Sequence, residues 1–310
     1  MKRPAYSNLM KTIKEGKFVF TGELEPVKTV GLDYIYHSAE AMKDYVVAAN
    51  VTDGPQGFAY INSLIPSYMV QDKIGLETIY QCTVRDRNRI ALCADMLAAA
   101  HVGIKNVLTL SGDHSALGDN EGARPVYDLD CAQFIDLLHH LIDKGEDIHG
   151  NEIDGKVEMN VGTAVNPNNH GVPLEAEIMK LGRKIGRGAD FVQTQTVFDI
   201  DETKDFLKEV EKYNTPILVG LFPLKSYGIA SYFDKYIPGV NVPKHLLAAL
   251  KKTKKKYMPV KKERKARIAE INLEFFKPFI KELKQTTKAA GIHCMAVHYE
   301  SLFADLFSGI

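Results

Sequence analysis

About eight short runs rich in β-forming residues recur along this chain, separated by segments of helical periodicity, and this alternation constrains the fold more than any other feature. The runs are Phe18–Leu24, Val46–Val51, Glu77–Thr83, Asn106–Leu110, Lys156–Val161, Asp190–Gln195, Pro216–Leu221 and His293–Val297. Between them the periodicity predicts helices over Asp33–Lys43, Tyr68–Ile74, Arg87–Ala100, Asp130–Asp143, Leu174–Gly186, Asp201–Tyr213 and Ser226–Tyr236. A short helix near Ser7–Glu15 precedes them, and a long helical insertion precedes the last run. Parallel strands need a crossover between neighbours, so eight strands linked by helices predict a (β/α)8 TIM barrel spanning residues 1–310 as a single domain. An open doubly wound sheet is the other architecture for such a pattern. It normally carries a GxGxxG turn after its first strand, where this chain has TGELEP; Gly182, Gly186 and Gly188 have the wrong spacing and close a helix.

Composition narrows the function classes. With 45% hydrophobic and 25% charged residues the chain is globular, and its 39 basic and 39 acidic residues cancel, so there is no global pull toward nucleic acid or an anionic surface. A small-molecule partner fits better. The cysteines at 82, 93, 131 and 294 have no CxxC spacing, which argues against a zinc knuckle or a disulfide framework and fits a reducing cytoplasm. The first residues are amphipathic without an apolar core of signal-peptide length, and no run of about 18 apolar residues occurs, so no membrane span is expected. P-loop, HExxH and GxSxG motifs are absent.

In a barrel of this kind, functional groups gather at the carboxyl ends of the strands. The predicted strands end in Glu23, in Thr52-Asp53-Gly54, at Gln81 and Thr83, in Ser111-Gly112-Asp113-His114, at Thr163 before Asn166–Gly171, in Gln193 and Gln195, in FPLKSYG and at His298. The first of these, FVFTGELEP, delivers two carboxylates. Strand alternation sends both Glu23 and Glu25 inward, or else Glu25 already lies in the loop that Pro26 begins.

The segments FTGELEP, VTDG, LTLSGDH, GADFVQTQTVFD and GLFPLKSYG, in this order and spacing, resemble the methylenetetrahydrofolate reductases over about residues 17 to 310. VYDLD after SGDHSALGD is similar to a branch common in anaerobes, in which the reductase works with a separate zinc-protein subunit. The resemblance implies a flavin-dependent barrel, with FAD or FMN as cofactor and NADH or NADPH as donor. The reaction implied is reduction of 5,10-methylenetetrahydrofolate to 5-methyltetrahydrofolate, and assembly as a homo- or hetero-oligomer is expected.

The same resemblance assigns site residues. Glu23 takes the place of the general acid that opens the methylene bridge, while Glu25 stands where the family usually has an aromatic or apolar residue. Asp113 takes the place of an aspartate near flavin and pterin, catalytic as well as binding, and Ser111 replaces the arginine before it. Gln195 aligns with a pterin-contacting glutamine, with Gln193 as its neighbouring decoy, and Tyr227 with an aromatic that sandwiches substrate or nicotinamide. Cofactor positions fall on Thr52, Gln81 in place of a histidine, Asn166 in place of a tyrosine, His170, Glu177, Lys184 and Ala189, the last packed behind the flavin. Tyr299 stands where an arginine often holds the folate's glutamate tail.

The basic run Lys251–Arg267 reads as a solvated helix face, or as a docking surface for a polyglutamate tail or an acidic partner. The helix after it is expected to kink or break at Pro278. Two other functions remain open. One is a flavin-carrying subunit that depends on a partner for electrons; the other is a flavin-free pterin-binding barrel that transfers a methyl group.

Overall fold

The structure, a computed structural model, describes residues 3–168, 173–237 and 239–310. Eight parallel strands close into a barrel in sequence order: β1 (Val19–Leu24), β2 (Ala48–Val51), β3 (Thr78–Thr83), β4 (Asn106–Leu110), β5 (Asn160–Val165), β6 (Phe191–Thr196), β7 (Ile217–Leu221) and β8 (Gly291–Cys294). Closure is made by β8 against β1, with Val19, Phe20 and Thr21 opposite Gly291, Ile292 and His293. The expected (β/α)8 barrel is therefore the fold observed.

The helices between the strands are α2 (Asp33–Met42), α3 (Leu64–Ile74), α4 (Arg89–His101), α5 (Cys131–His139), α6 (Leu174–Gly186), α7 (Ile200–Val210) and α8 (Tyr227–Tyr236). Local chemistry sets several of their starts. Asn88 accepts from the Ala91 N–H, Asp199 from the Asp201 and Glu202 N–H groups, and Asp130 forms a reciprocal capping box with Gln133.

Ahead of the barrel, α1 (Asn8–Lys14) plugs its amino-terminal end. Leu9 and Met10 pack there with Val19, Ala48, Ile79, Leu108, Phe191 and Leu218, one interior side chain from each of six strands. Arg3 anchors the segment, pairing with Asp143 at 2.6 Å and Asp190 at 3.0 Å. The insertion before β8 consists of α9 (Lys244–Lys252) and α10 (Lys261–Thr286), and α11 (Phe303–Phe307) follows it.

Several bounds depart from the sequence reading, α3 among them, which begins at Leu64 rather than Tyr68, and three departures have a clear physical reason. β5 begins at Asn160, opposite Asn106 of β4, four residues later than expected. Val157 and Met159 produced the earlier signal: they are buried in the core ahead of the ladder and share its alternation. β8 begins two residues earlier, at Gly291, where a Cβ would run into the Val19 carbonyl, so only glycine admits so close a backbone approach. Finally, α10 continues through Pro278. Its buried stripe, Ile268, Ile271 and Phe276 before the proline and Phe279, Ile280 and Leu283 after it, packs on the core on both sides of Pro278 and offsets the lost backbone hydrogen bond. Among the described residues no helix is long and apolar enough to cross a membrane.

Candidate active site

The carboxyl ends of the strands carry most of the residues singled out in the sequence. On β1, Thr21 and Glu23 share the interior face, as the two-residue period requires, and the strand stops at Leu24. Glu25 therefore lies beyond the strand, in the turn toward Pro26. The Glu23 side chain is 14% exposed, and its Oε2 has two neighbours: Nε2 of Gln81 from β3 and Nε2 of His293 from β8, each at 3.4 Å. His293 is 3% exposed and its Nδ1 lies 3.0 Å from Oγ1 of Thr21. Glu23 is thus met by the adjacent β8 and, across β2, by β3.

Glu25 experiences a different environment. Burial pushes its carboxyl above the usual range, the negative charge of Glu23 adds to that, and Lys225 opposes it. Lys225 itself donates to the Val297 carbonyl at 3.0 Å. Beside it, His298 sits in the left-handed region at φ 56° and stacks on Tyr34 with ring centroids 4.7 Å apart. Burial, and then the positive charge of Lys225, hold the His298 imidazole below its ordinary value.

Thr52 follows β2 and donates its N–H to the Leu24 carbonyl, one residue from Glu23. Its hydroxyl is buried and has no hydrogen-bond partner among the described residues. Tyr299 is a second such group: its hydroxyl is buried without a partner among the described residues, and burial pushes its pKa up to about 12.

The β4 end is held by its neighbours. Gly112 has φ +79°, and a Cβ there would lie 3.1 Å from Cβ of both Arg85 and Thr83, so the turn needs glycine on both counts. Arg85 donates to the carbonyls of Gly54 at 3.1 Å and Asp113 at 3.0 Å. The exposed Asp113 carboxylate accepts from the Gln56 N–H at 2.7 Å, which ties the β2 and β4 loops together; Ser111 is exposed. Beneath this rim Asp53 pairs with Arg87 at 2.6 Å and accepts from the Thr83 N–H and hydroxyl. The aspartate of VTDG is therefore committed to the scaffold.

Across the barrel, Gln193 exchanges two amide hydrogen bonds with Asn50, both buried. Gln195 is half-buried and stands in a register shift between β6 and β7, where three steps from Gln193 to Thr196 face two from Leu218 to Gly220. Such a bulge re-aims the side chains around it. Its Oε1 accepts the Thr196 N–H.

The other expected positions are spread more widely. Asn166 follows β5, near Asn168, which donates to Asn166 Oδ1 and to the Thr196 carbonyl. Glu177 lies in the first turn of α6 and pairs with Lys180. Lys184, seven residues on, reaches back to the Ala164 carbonyl near the end of β5 at 2.8 Å. Tyr227 opens α8 with Nζ of Lys254 4.1 Å from its ring centroid, which brings the basic run onto this face. Ala189 is buried just before β6, at the opposite end of the barrel from Glu23. His170 lies outside the described residues.

Sequence reasoning missed His293, Asn50, Arg85 and Arg87. A histidine within a predicted barrel strand was the available signal for the first, since an imidazole facing the interior needs a polar partner.

The chain is similar to several known proteins. The curated relatives include methylenetetrahydrofolate reductase 1 of Schizosaccharomyces pombe, 25% identical over 246 residues, covering 76% of this chain and 38% of the relative. Another is methylenetetrahydrofolate reductase (NADH) 1 of Arabidopsis thaliana, 25% identical over 222 residues, covering 69% and 36%. The chain thus spans less than two fifths of the length of these two relatives. Among solved structures, an uncharacterized protein from Clostridium thermocellum that binds two copies of 5-methyl-5,6,7,8-tetrahydrofolic acid shares the fold, with TM-score 0.62 and 14% identity over 97% of this chain and 100% of that one. The family model for methylenetetrahydrofolate reductase matches residues 8–309, nearly the whole barrel with Glu23 inside it, and the chain belongs to that family.

Proposed function

We propose that this barrel reduces 5,10-methylenetetrahydrofolate to 5-methyltetrahydrofolate with a bound flavin, and that Glu23 is its general acid. Family membership supports the substrate. The observation that carries the mechanism is the placement of Glu23: a largely enclosed carboxyl at the end of β1, held by Gln81 and His293.

The chemistry requires such a group. The methylene carbon bridges two folate nitrogens, and hydride can add only after one nitrogen accepts a proton, its bond to the methylene carbon breaks, and an electrophilic iminium is left on the other. Glu23 gives up the proton and ends as the carboxylate. Gln81, donating to Oε2, stabilises that charge as it forms. Asp113, fixed by the Gln56 N–H, places a second negative charge at the rim, where it favours the cationic intermediate.

The residues present fit a flavin. The buried unpartnered hydroxyl of Thr52 offers it a hydrogen bond, Gln81 an amide edge, and Asn166, Glu177 and Lys184 polar contacts along β5 and α6. When bound, the flavin supplies the hydride that it accepts from a reduced nicotinamide. Gln195 is the candidate for the pterin edge because Gln193 is occupied by Asn50, and Tyr227 offers a ring face at the mouth.

The test separates the two halves of the reaction. Glu23→Gln should leave flavin reduction nearly intact while oxidation by methylenetetrahydrofolate slows at least about a hundredfold, the usual scale of general acid catalysis. Equal loss in both halves, or a purified chain without flavin, overturns the reading.

A further inference from the structure

We infer that Lys225, Lys254 and the lysine-rich turn behind Lys254 form an anion track at the β7–α8 corner of the mouth. The track binds the carboxylates of the substrate's glutamate tail and selects for tails of several residues. This rests on the reading of the barrel as a methylenetetrahydrofolate site. A folate ends in a glutamate with an α- and a γ-carboxylate, and every further γ-linked glutamate adds one negative charge, so a row of cations leading away from the mouth distinguishes long tails from short ones.

Lys225 lies between β7 and α8 on a backbone fixed from both sides. Asn272 of α10, 0% exposed, accepts the Leu224 N–H at 2.7 Å and donates to the Leu224 carbonyl at 3.1 Å, and Ser226 accepts the Ile229 N–H to cap α8. The Lys225 ammonium donates to the Val297 carbonyl beyond β8 and, among the described residues, has no carboxylate within ion-pair distance. An ammonium has three donors, so two remain for a ligand. On the β1–β4 side of the mouth the cations are committed: Lys28 pairs with Asp119, Arg85 with Asp86 and Arg87 with Asp53.

Tyr227 follows two residues after Lys225, with the Lys254 ammonium 4.1 Å from its ring centroid. Residues 251–262 hold seven lysines and no carboxylate in a chain that is neutral overall. Among the described residues none of the seven pairs with an acid. Their turn has a defined backbone. The hydroxyl of Thr253, 3% exposed, donates to the Leu250 carbonyl, the Lys254 carbonyl accepts the Tyr257 and Met258 N–H groups, and Arg264 donates to the carbonyls of Met258 at 2.9 Å and Pro259 at 3.3 Å. Holding so many like charges together is unfavourable, and an anion lying along them relieves the repulsion. A face built only for solvation would point its lysines into water, whereas Lys254 leans over the aromatic ring that opens α8. The α9–α10 insertion thus supplies both ends of the track: Asn272 fixes the loop of Lys225, and the turn carries the other cations.

The test compares methylenetetrahydrofolate bearing one and three glutamates on the flavin-loaded protein, reading the concentration that half-saturates the folate half-reaction. The triglutamate should need about tenfold less, since an exposed ion pair contributes up to about fivefold, and added salt should close the gap. Combined Lys254→Gln, Lys255→Gln and Lys256→Gln should bring the two substrates within about twofold of each other at an unchanged melting temperature. Lys225→Gln should weaken both substrates by about fivefold and preserve their ratio, because it removes the contact to the first glutamate. Equal half-saturation by the two substrates in the native chain overturns the inference, as does a triple variant that keeps the gap or a Lys225→Gln protein that binds both normally. If the triple variant melts early, the native chain still decides, because a gap insensitive to salt overturns the track. Binding of 5-methyltetrahydrofolate with one and three glutamates separates the two levels. If neither form binds or turns over, the reading of the substrate fails; if both bind equally well, only the track fails.

Discussion

Asn50 and Gln193, 143 residues apart in sequence, exchange two hydrogen bonds inside the barrel: the Asn50 amide donates to Gln193 Oε1 at 2.7 Å and the Gln193 amide donates to Asn50 Oδ1 at 3.0 Å. Each amide satisfies the other where water is excluded, with Asn50 0% and Gln193 2% exposed. Gln193→Met, close in shape, leaves the Asn50 amide without its partner and should cost about 1–3 kcal/mol in urea denaturation. Adding Asn50→Leu removes the stranded group, so the double variant should be less destabilised than the two single losses summed. Simple additivity would mean the pair is not coupled.

Glu25 makes the stability depend on pH. Burial and the charge of Glu23 raise its pKa in the folded state above the usual 4.5, so folding binds its proton more tightly than the unfolded chain does. The stabilisation is complete below the unfolded value and is lost as pH rises through the folded one. Glu25→Gln, which keeps the neutral form at every pH, should therefore raise Tm near neutrality and change it little in acid. Its folate half-reaction should suffer far less than that of Glu23→Gln. A loss comparable to that of Glu23→Gln would move the acid assignment to Glu25.

Arg87 bridges Asp53 at 2.6 Å and Asp95 at 2.8 Å, with side chains 11%, 9% and 28% exposed. Arg87→Ala leaves Asp53 enclosed without its counter-charge and should cost about 3–5 kcal/mol in chemical denaturation. Arg89 pairs with Asp128 at 2.8 Å, but those side chains are 41% and 30% exposed. Arg89→Ala should cost no more than about 1 kcal/mol. The contrast tests burial, since the two ion-pair distances differ by 0.2 Å or less.

Much of this molecule was legible along the chain because the signals are local. Leu174–Gly186 is helical with the expected bounds, and β4 spans Asn106–Leu110 as expected. Glu23 stood out because a carboxylate at the end of an apolar run is conspicuous in any frame. β5 was misplaced because Val157 and Met159, buried against helices, alternate just as strand residues do. Pro278 misled for a related reason: its intrinsic cost in a helix is real, but the packing of Phe276, Phe279 and Ile280 outweighs it.

The sequence by itself determined the alternation of strands and helices, hence the barrel, and the identity of the carboxylate at the end of its first strand. Periodicity and strand-end chemistry are properties of neighbouring residues, so they survive without knowledge of what packs against them. Only the tertiary structure decided what surrounds that carboxylate. Closing β8 onto β1 brings His293 to Thr21 and Glu23, 272 and 270 residues away in sequence, and that contact has no local signature. Burial in the folded barrel also leaves the Thr52 hydroxyl without a hydrogen-bond partner among the described residues, and exclusion of water strengthens the hydrogen bonds that are made.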